Sequence, residues 1–215
     1  MNGTTAALER AWLRSQRLAL AEFVLQDEDA LVAMHQDPRV RAHLTESYPL
    51  QERRVARDFL RRMTFFYRRR PGLGIWHALL IEAEPASIGW FNLMPLPDRP
   101  DEVELGGRLL PSAWGKGLAQ EGGALLLDHA FDRLGLERVW ATCHPDNRSA
   151  QGVLAALGFA GMGRIPYEGY EVEHFVIRLN QWREMRDLSP STRMRRALRR
   201  RRTPEEKVEC TPSGA

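Results

Sequence analysis

Cysteine and lysine are the two residue types this 215-residue chain almost does without. Only Cys143 and Cys210 are present, far apart and in unlike surroundings. No disulfide framework is implied, and a reducing cytoplasm is the expected location. Before the C-terminal tail Lys116 is the one lysine, and every other basic residue up to Trp182 is arginine. Long apolar runs are missing as well. None approaches the ~18 residues a membrane span requires, and the first residues show no apolar signal-peptide core, so no membrane association is expected. No internal repeat is visible. Two phosphate-binding motifs are also absent: a Walker loop needs its lysine after the last glycine, and a dinucleotide fingerprint needs a third glycine where Gln120 stands.

With 43% hydrophobic residues the chain can bury one proper core, and its length fits one or two domains. Charge divides unevenly. Removing the 10 basic and 5 acidic residues from Arg183 onward leaves 21 Lys+Arg against 23 Asp+Glu, so residues 1–182 carry about −2 and the basic pI belongs to the tail. That division sets the expected domains: a body over 1–182 and an arginine-rich, disordered tail over 183–215. Within the tail, Ser189 to Thr192 can cap a short helix over Arg193 to Arg202, although four consecutive arginines repel one another. Any contact with RNA, the ribosome or acidic partners rests on those arginines, through phosphate neutralisation.

The most informative segment runs from Leu109 to Glu121. A β-prone run stops at Pro111, a turn with Gly115 and Gly117 follows, and an apolar-periodic helix begins near Ala119. The first N–H groups of a helix lack intrahelical partners and sit at the positive end of its dipole, which suits phosphate. The glycines permit positive φ and close approach of an anion, and Lys116 between them adds a point charge.

Period and punctuation predict the remaining elements. Arg17–Val24 alternates like an edge strand. Helices are expected over Asp27–His35, Leu50–Arg69, Leu118–Leu134 and Asn147–Leu157, the third closed by Gly135 and the last opened by Asp146 or Asn147 and ended by Gly158. Strands are expected over Ile75–Ile81, Ser87–Leu93, Glu102–Leu110, Glu137–Cys143, Phe159–Ile165 and Val172–Leu179. The three prolines in Met94–Pro100 predict a loop. The sum is an α+β protein with helices on both faces of one sheet.

Trp114-Gly115-Lys116-Gly117-Leu118-Ala119 resembles the Arg/Gln-x-x-Gly-x-Gly/Ala loop of the GNAT acetyltransferases. Tryptophan commonly opens that loop in the branch whose members acetylate ribosomal-protein N-termini at alanine or serine. Glu104, Gly106, Pro111, Ala119 and Glu121 fit that branch's wider pattern, while Gly107 replaces its tyrosine and Gly122 its alanine. Asn147 with Leu157-Gly158-Phe159 resembles the family's second motif, but Ser149 falls one place early and Ala150 occupies the serine's slot. The resemblance spans roughly Arg17 to Trp182. It implies a mixed, largely antiparallel sheet in the order β-α-α-β-β-β-α-β-α-β-β, splayed between two central parallel strands.

The same resemblance implies acetyl-CoA as cosubstrate and no metal. Main-chain N–H groups of Gly115, Lys116, Gly117, Leu118 and Ala119, beside Trp114, would hold its pyrophosphate. The main chain of Leu109 and Leu110 would take its amide arm as an added strand, and Asn147 would contact that arm. The thioester would then lie between Glu104–Leu110 and Trp140–Cys143. The acceptor would be a primary amine, either a peptide N-terminus or a small molecule, and the protein a monomer or homodimer. Deprotonating a lysine-type amine of pKa ~10.4 at pH 7 costs about 4.6 kcal/mol, against about 1.4 for a peptide α-amine near 8. Glu104, acting through a water, is the candidate base, and His144, with a pKa near neutrality, the runner-up. Ser149 is a candidate proton donor to the leaving thiolate, since Leu154 stands where many members carry tyrosine. Tyr167 and Tyr170 look like acceptor-recognition residues, and Cys143 like a small buried residue. The competing class is a CoA-sensing protein of this fold whose tail binds nucleic acid.

Overall fold

A computed structural model of the chain describes residues 3–44, 49–97, 99–167 and 169–200. The chain opens with α1 (Gly3–Glu9) and the two-residue β1 (Leu13–Arg14), neither of which has a periodic signal in the sequence. β2 (Leu18–Glu22) follows, and here the expectation of an edge strand fails. Leu18 to Ala21 are all buried, because β1 takes the edge and α1 lays Ala7 against Ala19, Ala21 and Leu79.

Next come α2 (Glu28–Gln36), the short α3 (Pro38–Arg41) and α4 (Arg53–Arg69). Asp37 caps α3 by accepting the Arg39 N–H at 2.8 Å, and Pro38 occupies the first turn, where it needs no N–H. In α4 the buried residues Ala56, Leu60, Met63 and Tyr67 recur at helical spacing, which makes one face apolar.

β3 (Gly74–Leu80), β4 (Ala86–Leu96) and β5 (Arg99–Leu109) form an antiparallel meander. The proline-rich stretch expected as a loop is mostly strand, and hydrogen-bond parity explains why. Leu110 N–H donates to the Ile88 carbonyl at 2.8 Å, so alternate pairs along this ladder are hydrogen-bonded. Pro95, opposite Val103, falls in a pair that is not. Its missing N–H would point past the end of β3, where no ladder asks for it.

After β5 a single 3₁₀ turn, Pro111–Ala113, leads through the glycine loop into α5 (Leu118–Asp128), which continues as a π-turn over His129–Arg133. β6 (Arg138–Cys143), α6 (Arg148–Leu157), β7 (Ala160–Tyr167) and β8 (Tyr170–Arg178) complete the predicted order. β7 and β8 pair as far as Tyr167 opposite Tyr170, so both strands run past their expected ends at Ile165 and Val172. Part of the stretch between α3 and α4 lies outside the described residues.

The eight strands lie in the order β1-β2-β3-β4-β5-β6-β8-β7. Only β5 and β6 run parallel. Adjacent residues of β4 show the layering. Phe91 points at Gly122 of α5, while Trp90 packs among Leu31 of α2 and Leu60 of α4, so helices lie on opposite faces. Phe91 also accounts for both departures from the family pattern. A Cβ on Gly107 would stand 2.9 Å from its ring, and one on Gly122 only 2.3 Å.

The expected boundary at Trp182 also needs correction. The chain continues as α7 (Leu179–Met185) and α8 (Pro190–Arg200), and α8 packs on α6 and β7. Arg193, expected to be a solvated tail charge, is buried with its guanidinium 5.5 Å from the Trp182 ring centre, and Ala197 is buried nearby. Spreading the guanidinium over an aromatic face offsets the repulsion that argued against order. Residues 201–215 of the expected tail lie outside the described residues.

Met185 is wholly buried, and its Cε methyl fills the space beside Gly158. Met185→Ala should therefore lower unfolding free energy by about 2–5 kcal/mol in a urea titration. A chain ended after Trp182 should lose more than that, whereas one ended after Arg200 should unfold like the full chain.

Candidate active site

β5 and β6 pair at one position only, Glu104 opposite Trp140, and carry no ladder beyond it. Each strand is nevertheless fully engaged on its other side, β5 with β4 and β6 with β8. The sheet therefore splits where the sequence reading placed the thioester. By the parity set at Leu110, the main-chain groups of Gly107 and Leu109 point into the split, while those of Glu104, Gly106 and Arg108 pair with β4.

This corrects the expectation for Leu110. Its N–H is held by Ile88 and its carbonyl accepts the Ala113 N–H at 2.9 Å. The free edge belongs to Gly107 and Leu109. Trp114, 48% exposed, reaches back to that edge, and its indole Nε1–H donates to the Leu109 carbonyl at 2.8 Å.

The glycine loop has the backbone its sequence demands. Gly115 has φ +71° and Gly117 φ +75°. A Cβ on Gly115 would meet nothing within 4 Å, so conformation rather than crowding requires glycine there. Gly117 is the N-cap of α5 and offers no side-chain acceptor, and the first helical bond is Glu121 N–H to the Gly117 carbonyl. The N–H groups from Gly115 through Gln120 thus reach no acceptor among the described residues, at the positive end of a helix.

Arg17 fixes this loop, a role with no local signal in the sequence. Its guanidinium donates to the Lys116 carbonyl at 3.0 Å and to Glu121 at 2.7 Å, and Ser15 and the Arg17 N–H also donate to Glu121. Burial on its own would raise the Glu121 pKa, but the Ser15 and Arg17 donors outweigh it and hold the carboxylate below its ordinary range.

On the α2/α4 face, Glu104 sits at the closed end of the split. The Thr142 hydroxyl donates to its Oε1, and the Tyr167 hydroxyl lies 3.5 Å from Oε2, so residues from β5, β6 and β7 meet there. Glu102, on the same face, is tied to the Arg138 guanidinium and to Trp140 Nε1–H. Glu102 is therefore an ion-paired structural group and Glu104 the carboxylate at the opening. Next along the face, Asn92 of β4 lies over Gly106, whose Cβ would fall 2.5 Å from the Asn92 Oδ1. Beyond it Arg108 is buried, bonded to His35 Nε2 at 2.6 Å and stacked 4.8 Å from the Trp90 ring centre.

The other candidates separate. Asn147 caps α6, its Oδ1 accepting the Ala150 N–H at 3.0 Å. Its Nδ2 donates to no described residue. Ser149 is exposed on the first turn of α6 and bonds to none. His144 Nδ1 accepts the Asp146 N–H at 3.1 Å, which puts the neutral ring's proton on Nε2 and leaves no free lone pair for a base. Thr142 and Asn92 have no place in the sequence reading, since polar strand residues carry no motif. Among the described residues, no group of three His, Cys, Asp or Glu side chains is arranged to hold a metal ion, and no helix is long and apolar enough to cross a membrane.

The split sheet, the free-amide loop and the single carboxylate define an acyltransferase architecture. A family model described as an acetyltransferase (GNAT) domain matches residues 17–160, and the chain belongs to that family. It is an N-acetyltransferase of the GNAT class. Among curated proteins it is 26% identical to N-acetyltransferase p20 of Bacillus licheniformis over 70% of this chain and 83% of that one. It is 35% identical to FsC-acetyl coenzyme A-N(2)-transacetylase of Aspergillus fumigatus over 41% of this chain, but only 39% of the fungal protein is spanned. Among solved structures, an Agrobacterium tumefaciens acetyltransferase superposes with TM-score 0.62 at 26% identity, covering 77% of this chain and 93% of that one. A ribosomal L7/L12 alpha-N-protein acetyltransferase in complex with coenzyme A gives TM-score 0.65 at 17% identity, covering 78% and 97%, a likeness of fold alone.

Cys143 lies near this site, and burial followed by the Glu173 charge pushes its thiol up to about 12. At pH 8 about 1 in 10⁴ of its thiols would be ionised, against about a quarter of free cysteines. Iodoacetamide should alkylate Cys143 in the folded protein at least a thousandfold more slowly than free cysteine, read by peptide mass mapping. Cys143→Ala should keep turnover within twofold.

Proposed function

We propose that the protein transfers the acetyl group of acetyl-CoA directly to a primary amine, with a peptide-type α-amine favoured as acceptor. The divergence of β5 from β6 beside a loop of unpartnered amides carries this reading. The N–H groups of Gly115 to Ala119, with Lys116, would hold the pyrophosphate. Gly107 and Leu109 would hydrogen-bond the pantetheine amides as an added strand, and Asn147 Nδ2 would meet the same arm. The loop fits this ligand because its polar groups point outward with no protein acceptor.

Glu104 receives the ammonium proton of the acceptor, through a water. The neutral nitrogen then forms its bond to the thioester carbon, the carbon–sulfur bond breaks with the electron pair leaving on sulfur, and the surplus proton of the new amide nitrogen passes to the thiolate. Thr142 and Tyr167 donate to the Glu104 carboxylate and aim it. The Tyr167 hydroxyl beside Glu104 can relay a proton to the leaving thiolate, a role Ser149, exposed on the first turn of α6, is poorly placed to fill. An α-amine near pKa 8 costs less to deprotonate at pH 7 than a lysine-type amine does, which favours it as acceptor. The basic-tail reading gains only that Arg195, Arg196 and Arg199 are exposed on α8.

Thiol release should be seen with acetyl-CoA and short peptides, and kcat/KM should rise with pH up to about 8 as the acceptor loses its proton. Glu104→Gln should lower kcat at least tenfold at pH 7 with the KM for acetyl-CoA within threefold. Unchanged kcat in that variant would leave the proton to bulk water.

A further inference from the structure

We infer that Asn92 is an acceptor-binding residue that selects amines carrying an amide next to the reacting nitrogen; this rests on the activity proposed above. Asn92 is 9% exposed in the middle of β4, yet its carboxamide makes no hydrogen bond with any described residue. Its amide atoms are not among the side-chain atoms sealed from solvent without a partner, so a ligand that enters can take the place of water on them. The position of Asn92 says which ligand. Asn92 stands opposite Gly106, and Glu104 is the diagonal neighbour two residues along the same face. Diagonal Cβ atoms lie roughly 7–8 Å apart, about the span of one amino-acid residue plus a bridging water.

Gly106 is the device that makes the pit. Any side chain there would occupy the space the Asn92 carboxamide fills, its Cβ falling 2.5 Å from Oδ1. The far wall is closed by Arg108, which is already engaged with His35 and Trp90. At the near wall Glu104 is engaged by hydroxyls. The Asn92 carboxamide carries no hydrogen bond to any described residue, so both its acceptor and its donors are open to a ligand. It offers an acceptor and donors in one plane, the complement of a peptide group's N–H and C=O. An acceptor whose amine sits by Glu104 and whose first peptide group meets the Asn92 carboxamide satisfies both. A simple alkylamine leaves Asn92 unpaired, and sites built to hydrogen-bond a substrate group discriminate strongly against analogues that lack it.

The test compares alaninamide with isopropylamine, the same skeleton without the amide. Because the two amines differ in basicity, the readout is the change in their ratio of kcat/KM between the wild type and Asn92→Leu. The ratio should fall at least twentyfold. The loss should appear as a raised KM for alaninamide, with kcat within threefold and the KM for acetyl-CoA within twofold. An unchanged ratio overturns the inference. Independently of turnover, the assigned Asn92 side-chain NH₂ resonances of the ¹⁵N-labelled wild type, with CoA present, should shift saturably with alaninamide and not with isopropylamine. No shift, or equal shifts, overturns it as well. Absence of acetylation with every amine would sink the proposed activity, while the resonance titration would still decide the role of Asn92.

Discussion

One joint governs the molecule: the main-chain pairing of β5 with β6 at Glu104 and Trp140 alone. A strand edge buried beside a helix layer would ordinarily pair along its whole length, because unmatched main-chain groups are expensive. Here the sheet tolerates a gap because each strand is tied firmly to its outer neighbour. The Trp114 indole also meets one of the exposed carbonyls. The glycines of α5 keep the helix tight beneath the gap. Gly122 admits the Phe91 ring, and a Cβ on Gly123 would stand 2.5 Å from Leu157 of α6. Two adjacent helix glycines cost about 1 kcal/mol each relative to alanine, which the close packing of sheet, α5 and α6 offsets.

That packing also positions the loop. Because α5 is held against β4 and β5, its N-terminus opens at the mouth of the split. The Arg17–Glu121–Ser15 cluster then fastens the first turn to the start of β2, across about a hundred residues of sequence. Charge is arranged economically there. Arg17 is engaged by Glu121, so Lys116 and the helix dipole supply the remaining positive potential. A lysine suits this place better than the arginines used elsewhere, since a flexible point charge can follow a ligand without needing a planar partner.

What could be read from the sequence divides along physical lines. Local constraints were legible: positive φ at Gly115, Gly117, Gly135 and Gly158, the Asn147 cap, and the strand–loop–helix order. Contacts between distant segments were not. Thr142 and Tyr167 reach Glu104 across 38 and 63 residues, and nothing in a strand's alternation says which polar side chain will face which. Pro95 misled because a proline signals a break only where its N–H is wanted, and that depends on ladder parity. Arg193 misled because its favourable partner is the ring of Trp182, a contact that the charge pattern of its own helix does not reveal. Gly107 and Gly122 read as two independent departures from a motif. In the fold they answer one side chain, Phe91, which no motif contains.

The two faces of the sheet divide the work. On the α5 face, Val103, Leu105 and Leu109 of β5 pack inward, and the backbone is left for a ligand's phosphates and amides. On the α2/α4 face, Glu104, Gly106 and Asn92 make a small polar floor among otherwise apolar or ion-paired neighbours. A ligand approaching along the split and an amine approaching from the floor can meet only where the strands still touch, at Glu104. Glu102, two residues earlier on the same face, is held instead by its ion pair with Arg138. On the proposed activity the single parallel bridge places the reacting groups at Glu104, and the hydroxyls of Thr142 and Tyr167 aim its carboxylate. Lengthening that bridge by even one pair would close the split onto the main chain of Gly107, so the activity depends on the strands failing to zip.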